Sequence, residues 1–256
     1  DITNGNMNAD NETLQFVEQL KEEVSGKGNF VIGHSDVDLM IYDSEGNRIV
    51  RKQETNIGDF CADALRSFTD ADIAMVNGGG IRTNIKRGEI LFNDLYNVMP
   101  FGDMIATGTF YGEQLLDVLE FAVSALPTEA GTFMQVSGLR FTVDPDIPSP
   151  AMKDTETGMY SHVGEGERRV SHVEILDKQS GEYKAVELSR QYTIATLDYL
   201  ILEQGGSGIL SCVKPDSIYW GADIEVLRHY LESVLGGNIG SEYTQPQGRI
   251  IYKYFN

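Results

Sequence analysis

The chain has 256 residues, 41% hydrophobic and 23% charged, enough to bury the core of one large domain or two small ones. Its formal net charge of −19 argues against a nucleic-acid partner, because phosphate backbones are held by clustered Lys and Arg. A mononucleotide in a locally basic pocket is still allowed. No run of 18 apolar residues occurs, so no transmembrane helix is expected.

The opening residues, Asp1 to Asp10, are polar and do not begin with Met. They read as a tether behind a processed export signal, so the expectation is an exported lipoprotein, periplasmic or membrane-anchored at the cell envelope. A first helix is expected over Glu12 to Val24, where Leu14, Val17, Leu20 and Val24 share one face and Gly26 follows. Residues 1–30 are thus a tether and helix, and 31–256 one mixed domain. Strands are expected at Val31-Ile32, Val37 to Tyr42 and Arg48 to Val50, with a hairpin turn at Ser44 to Asn47. A helix over Gly58 to Phe68 contains Cys61 as a buried small hydrophobe. Whether Cys61 pairs with Cys212 cannot be deduced from the sequence.

Ile73 to Val76 forms a buried strand that opens into Asn77-Gly78-Gly79-Gly80, and Ile105 to Phe110 forms another. The most amphipathic helix runs from Glu113 to Leu126 and stops at Pro127. Asp144 to Arg169 turns polar and proline-rich and reads as a surface insertion. Further strands are expected at Leu139 to Val143, Val173 to Leu176, Tyr192 to Thr196 and Arg249 to Tyr254. A last helix covers Asp223 to Leu235.

Three features could carry chemistry. In Asn77-Gly78-Gly79-Gly80-Ile81-Arg82 the glycines let backbone approach a ligand. Asn77 can donate and accept, and Arg82 offers a planar fork; a plain tight turn explains the pattern equally well. Phe101, between Pro100 and Gly102, could stack on a base or plug the core. Tyr192 to Gly208 ends in a second glycine loop beside Tyr199. His34, His162, His172 and His229 are scattered, and a two-metal site needs several ligands around metals about 4 Å apart. No catalytic or metal-binding residue is therefore assigned.

In order along the chain, Glu54-Thr55-Asn56-Ile57-Gly58, Asn77 to Arg82, Pro100-Phe101-Gly102 and Gln135-Val136-Ser137-Gly138-Leu139 resemble the C-terminal domain of the 5′-nucleotidase family. Thr196-Leu197-Asp198-Tyr199, Gly205-Gly206-Ser207-Gly208 and Gln247-Gly248-Arg249-Ile250 extend the likeness, from about Val31 to Tyr254. The resemblance implies an α+β fold of four α/β/β/α layers that binds the nucleotide or nucleoside. It implies that Arg51, Asn77, Gly79 and Arg82 contact the ligand and that two rings clamp the base. Phe101 matches the first ring. Tyr199 matches the second, or Ile201 if the alignment is ungapped. Ser207 stands where the family usually has Asp, so a charge-assisted acceptor is replaced by a hydroxyl. The family's divalent metals sit in a metallophosphoesterase domain that the matched region does not include. No cofactor is expected in this chain, and that domain, or a protein carrying it, is the expected partner. A self-sufficient hydrolase and an interaction domain with a decayed slot are the alternatives.

Overall fold

A computed structural model describes residues 29–202 and 207–253. The expected tether and first helix, Gln204 to Gly206 and Tyr254 lie outside them. The fold is α+β. Its centre is a five-stranded sheet, built from Ile73–Asn77 (β2), Met104–Tyr111 (β4), Met134–Ser137 (β5), Gln191–Leu197 (β11) and Lys214–Ala222 (β12). The order is β12-β4-β11-β2-β5. Within this sheet only β2 and β11 run parallel. Ile73 to Val76 and all of β5 are buried, as strands must be when both faces of a sheet are covered.

Helix α1 (Asn56–Thr69) packs on β2, β5 and β11 and against helix α5 (Asp223–His229). Its residues Ile57, Phe60, Cys61 and Leu65 are fully buried, each large aliphatic side chain stabilising by about 1.5–3 kcal/mol. Helix α3 (Gly112–Ala122) touches both β4 and the four-stranded sheet. That sheet orders Tyr183–Ala185 (β10), Val170–Leu176 (β9), Leu139–Val143 (β6) and Ile250–Tyr252 (β14). A third sheet joins Asn238–Ile239 (β13), Val31–Ser35 (β1) and Gly88–Leu91 (β3). Helix α2 (Phe92–Val98) follows β3, and Asp94 Oδ2 accepts the Leu91 N–H at 2.8 Å to close its first turn.

Several expected elements differ. Val37 to Tyr42 is not a strand but makes only single bridges, Leu39 to Ile85 and Tyr42 to Arg48. Side-chain amides replace the ladder there: Asn56 Oδ1 accepts from Met40 N (2.9 Å) and Asn84 Oδ1 from Ile41 N (2.6 Å). The expected last helix is α-helical only to His229, and Tyr230–Val234 continues as a π turn. The polar segment after Asp144 contains a hairpin, Ala151–Lys153 (β7) with Tyr160–Val163 (β8). Strand β12 was not expected. Pro215 interrupts its pattern, and the register shifts between Pro215 and Ser217 on this edge strand. Both cysteines are free, Cys61 being buried.

Buried polar side chains tie these layers together. Gln135 in β5 donates from Nε2 to Val50 O (2.9 Å) and Gln53 O (2.7 Å), and its Oε1 accepts from Thr55 N (3.1 Å). Thr55 caps α1 by accepting the Gly58 N–H at 3.1 Å. A Cβ at Gly58 would overlap the Gln135 amide. Asn56 Nδ2 donates to Asp38 O and Tyr243 O, each at 2.8 Å. Glu54 Oε2 accepts from Ile250 N at 2.7 Å. The Glu54 to Gly58 motif is thus a fastening between strands, a loop and a helix.

Under α1, Arg249 meets Asp63 through Nη2 (2.8 Å to both oxygens) and Val136 O through Nη1 (2.6 Å). It also lies 3.6 Å from Asp59. Burial, reinforced by the Glu54 and Asp63 charges and opposed by Arg249, pushes the Asp59 carboxyl up to about 8.

These fastenings can be tested by substitution. Gln135→Ala strands three backbone groups, two of them buried, and we expect a loss of about 3 kcal/mol, read as a lower urea midpoint; an unchanged midpoint would refute the fastening role. Asp59 has a folded pKa above its unfolded value, so the folded chain holds the extra proton. Stability therefore falls as pH rises from near 3.8 towards about 8. Asp59→Asn keeps an acceptor for Gln247 N and should flatten the melting temperature across that range. Parallel curves for parent and variant would count against this assignment.

Candidate functional site

All the segments singled out by glycine or ring meet at one end of the five-stranded sheet. Parallel neighbours β2 and β11 both end there, one running into Asn77 and the other into Asp198-Tyr199. β4 is antiparallel to β11, with Ile105 opposite Leu197, so the preceding Phe101-Gly102-Asp103 lies at the same end. β5 begins there too, Met134 opposite Asn77. Ligands of open α/β sheets gather at such ends of parallel strands.

A cavity of about 640 Å³ opens there, lined by Asn77, Gly79, Phe101, Tyr199 and Ser207 among others. This volume lies within the range of small-molecule pockets. Phe101 is 60% exposed and Tyr199 38% exposed. Ile201 is buried in the core, so of the two residues considered for a second ring, Tyr199 faces the cavity. One carboxylate joins the two segments that carry the rings. Asp198 Oδ1 accepts from Met104 N (3.1 Å) and from Tyr199 N (2.8 Å), so the turn after Phe101 and the start of helix α4 (Asp198–Ile201) share an anchor. Thr196 Oγ1 donates to Met75 O at 2.7 Å and joins β11 to β2.

The triple glycine is required by close approach. At Gly78 a Cβ would overlap Val50 O, and at Gly79 it would lie 2.9 Å from Gly131 O. The backbone bonds Gly78 N to Phe133 O (2.7 Å) and Gly79 N to Gly131 O (3.0 Å) hold the turn against the strand opposite. Asn77 Oδ1 and Ser207 Oγ are buried without a hydrogen-bond partner. Both belong to residues of the cavity wall, and buried polar atoms in this state are uncommon in folded proteins.

Arg82 and Arg51 stand at the margin and not among the lining residues. Arg82 Nη1 donates to Gly79 O at 3.0 Å, and its guanidinium lies 5.9 Å from the Phe101 ring centre. Arg51 is half-buried, and its Nε has no partner. Burial lowers its pKa, with Arg48 and Arg82 adding repulsion. An anion beside the pair would relieve that repulsion. Acidic groups stand close by as well, Asp103 among the lining residues. Burial, then the Asp103 and Asp198 charges, pushes Asp223 up to about 6.

One wall had no signal in the sequence. Lys153 and Tyr160, from the β7–β8 hairpin, line the same cavity. Only the odd aromatic in a polar stretch could have suggested it. His34 and His172 are exposed and lie apart from the cavity. Among the described residues no group of three or more His, Cys, Asp or Glu is placed to hold a metal ion. The described residues therefore do not fit a dinuclear metal centre.

The profile of the family "5′-nucleotidase, C-terminal domain" matches residues 31–214. The chain is 31% identical over 244 residues to the trifunctional nucleotide phosphoesterase protein YfkN of Bacillus subtilis, covering 93% of this chain and 15% of that protein. It is 29% identical to a 5′-nucleotidase of Vibrio parahaemolyticus, covering 96% of this chain and 38% of the relative. The chain thus spans well under half the length of these relatives. A crystal structure of a 5′-nucleotidase precursor from Thermus thermophilus superposes with a TM-score of 0.74 at 25% identity, over 96% of this chain and 43% of that one.

Because Phe101 and Tyr199 spend so much of their surface in solvent, truncating them should leave stability alone. Phe101→Ala and Tyr199→Ala should each change unfolding free energy by less than about 0.5 kcal/mol. A larger loss in denaturant melts would mean that the rings serve the core.

Proposed function

This chain belongs to the family of 5′-nucleotidase C-terminal domains, and on that premise we propose that its cavity receives the nucleoside part of a nucleotide. The carrying observation is the pair of exposed rings on one cavity, with Asp198 accepting from Met104 N after Phe101 and from Tyr199 N. A base between Phe101 and Tyr199 would bury both rings, each stack contributing about 1–3 kcal/mol. The unpartnered Asn77 Oδ1 and Ser207 Oγ would gain base and ribose partners. The half-buried Arg51 and the nearby Arg82 would face the phosphate.

Hydrolysis is assigned to a metallophosphoesterase domain, on this polypeptide or on a partner protein, with divalent metals held there. The described residues contain no cluster that fits those metals. This domain's contribution is to hold the base and orient the ester, which converts an encounter into a positioned reaction.

Calorimetric titration with AMP, adenosine and UDP-glucose tests the reading. At least one should bind, and Phe101→Ala should weaken it by roughly tenfold or more. Absence of heat with every nucleotide would overturn it.

A further inference from the structure

The segment that carries Phe101 enters the central sheet between two aspartates. Strand β4 starts at Met104, and its neighbours β11 and β12 both end there, with Leu197 opposite Ile105 and Ala222 opposite Met104. Each neighbour runs straight into a helix whose first residue is acidic, Asp198 of α4 and Asp223 of α5. Both residues hold the backbone just after the ring. Asp198 does so through its carboxylate, which accepts from Met104 N at 3.1 Å. Asp223 does so through its main chain, its N–H donating to Asp103 O at 2.8 Å.

The two carboxyl groups are placed differently. Asp198 is half-buried and also accepts from Tyr199 N. Asp223 is fully buried; its Oδ1 accepts from Ile224 N at 2.7 Å, while its Oδ2 has no partner. Burial comes first among the causes that raise its pKa to about 6, followed by the Asp103 and Asp198 charges. Other elements pack on α5 as well. From α1 the buried Cys61 thiol lies within its influence. In α2 the Asp94 carboxylate is taken by Leu91 N, and Tyr96 is exposed. Glu232 of the π turn pairs with Arg228, and Glu225 of α5 itself is exposed. Lys214 and Asp216 of β12 lie beside Thr107 to Thr109, further along β4.

A buried anion facing like charges is relieved in one of two ways. It takes a proton, or its neighbours draw back and admit water. Asp103 is the neighbour that lines the cavity, and drawing it back moves the segment of Phe101. A nucleoside in the cavity needs that ring in place and excludes water from the wall, where like charges then repel more strongly. Occupation of the cavity thus closes the second route and favours the first. We propose that Asp223 is a positioning residue that couples nucleoside binding to uptake of a proton, because the segment of Phe101 is held most firmly when this carboxyl is neutral. The inference rests on the nucleoside-binding role proposed for the cavity and adds its response to pH. The free protein holds this proton below about 6, and binding raises that value, so affinity is greatest at low pH and declines as pH rises through it.

Calorimetric titration with adenosine and uridine at pH 5.5 and 7.5 tests the coupling. Nucleosides are the probes because a nucleotide phosphate itself titrates near about 6. The parent should bind roughly fivefold more tightly at the lower pH, as a pKa raised by about one unit on binding requires. Asp223→Asn keeps an acceptor for Ile224 N and cannot ionise, so its affinities at the two pH values should agree within about twofold. Asp103→Asn, which removes the facing charge, should reduce the dependence as well. A flat profile in the parent, or an undiminished slope in Asp223→Asn, would overturn the coupling and leave nucleoside binding standing. A variant that only loosened the fold would lower the melting temperature without flattening the profile. If neither nucleoside binds at either pH the coupling falls, and binding of AMP then decides the reading on which it rests.

Discussion

Gln135 reaches from the edge strand β5 into the turn between Val50 and Thr55, and the binding end of the domain depends on that reach. Its amide satisfies three backbone groups of a segment that has no strand partner of its own. The same segment carries Arg51, caps α1 through Thr55, and passes close enough to Gly78 that no side chain fits there. Met134, its neighbour, faces Asn77 across the ladder and the cavity beyond it. A glycine turn, an arginine and a helix start are therefore set by one buried amide. Leaving its partners bare would cost more than the bonds themselves contribute, because buried unsatisfied groups carry the full desolvation penalty.

The charged cluster beneath α1 does a related job with less comfort. Arg249 draws in Asp63 and Asp59, while Glu54 accepts from the backbone of the last strand. Carboxylates outnumber the guanidinium in this cluster. Burial and the neighbouring carboxylates raise the Asp59 pKa, so this carboxyl yields its charge most readily. Buried ion clusters of this kind contribute little net stability but tolerate few other arrangements, which suits a chain end that must return to β6 in parallel register.

Much of this was legible in the residues. Ile73 to Val76 reads as a buried strand because its apolar run is short and ends in glycine, and the turn beyond it needs those glycines for close approach. Phe101 stood out because it belongs to no periodic face, which suited a core plug as well as a stacking ring, and its exposure rules out the plug. What escaped was whatever long-range partners decide. Val37 to Tyr42 has strand-like alternation, yet side chains of Asn56 and Asn84 take the Met40 and Ile41 N–H groups and only single bridges remain. Lys214 to Ala222 has a proline and polar residues, yet it lengthens a sheet edge where a bulge is tolerated. The segment after Asp144 has the composition of a loop, and only contact with Phe121 and Ser207 makes it a wall. Glu54 to Gly58 belongs to a recurrent motif, but its spacing says nothing about whether it meets ligand or backbone; here its side chains meet backbone.

The hairpin differs from the other walls in how it is attached. Asn77, Phe101 and Tyr199 sit at or beside the ends of strands whose register is fixed on both sides, so exchanging any of these segments disturbs a ladder. β7 and β8 pair only with each other and lean on the rest through the Tyr160 ring and hydroxyl, one backbone bond to Ser207, and the side chains of Ala151 and Val163. The domain is in this respect a fixed vice with a replaceable jaw. A short surface hairpin of this kind can be changed by mutation or grafting while the strand ends and their foundations stay unchanged.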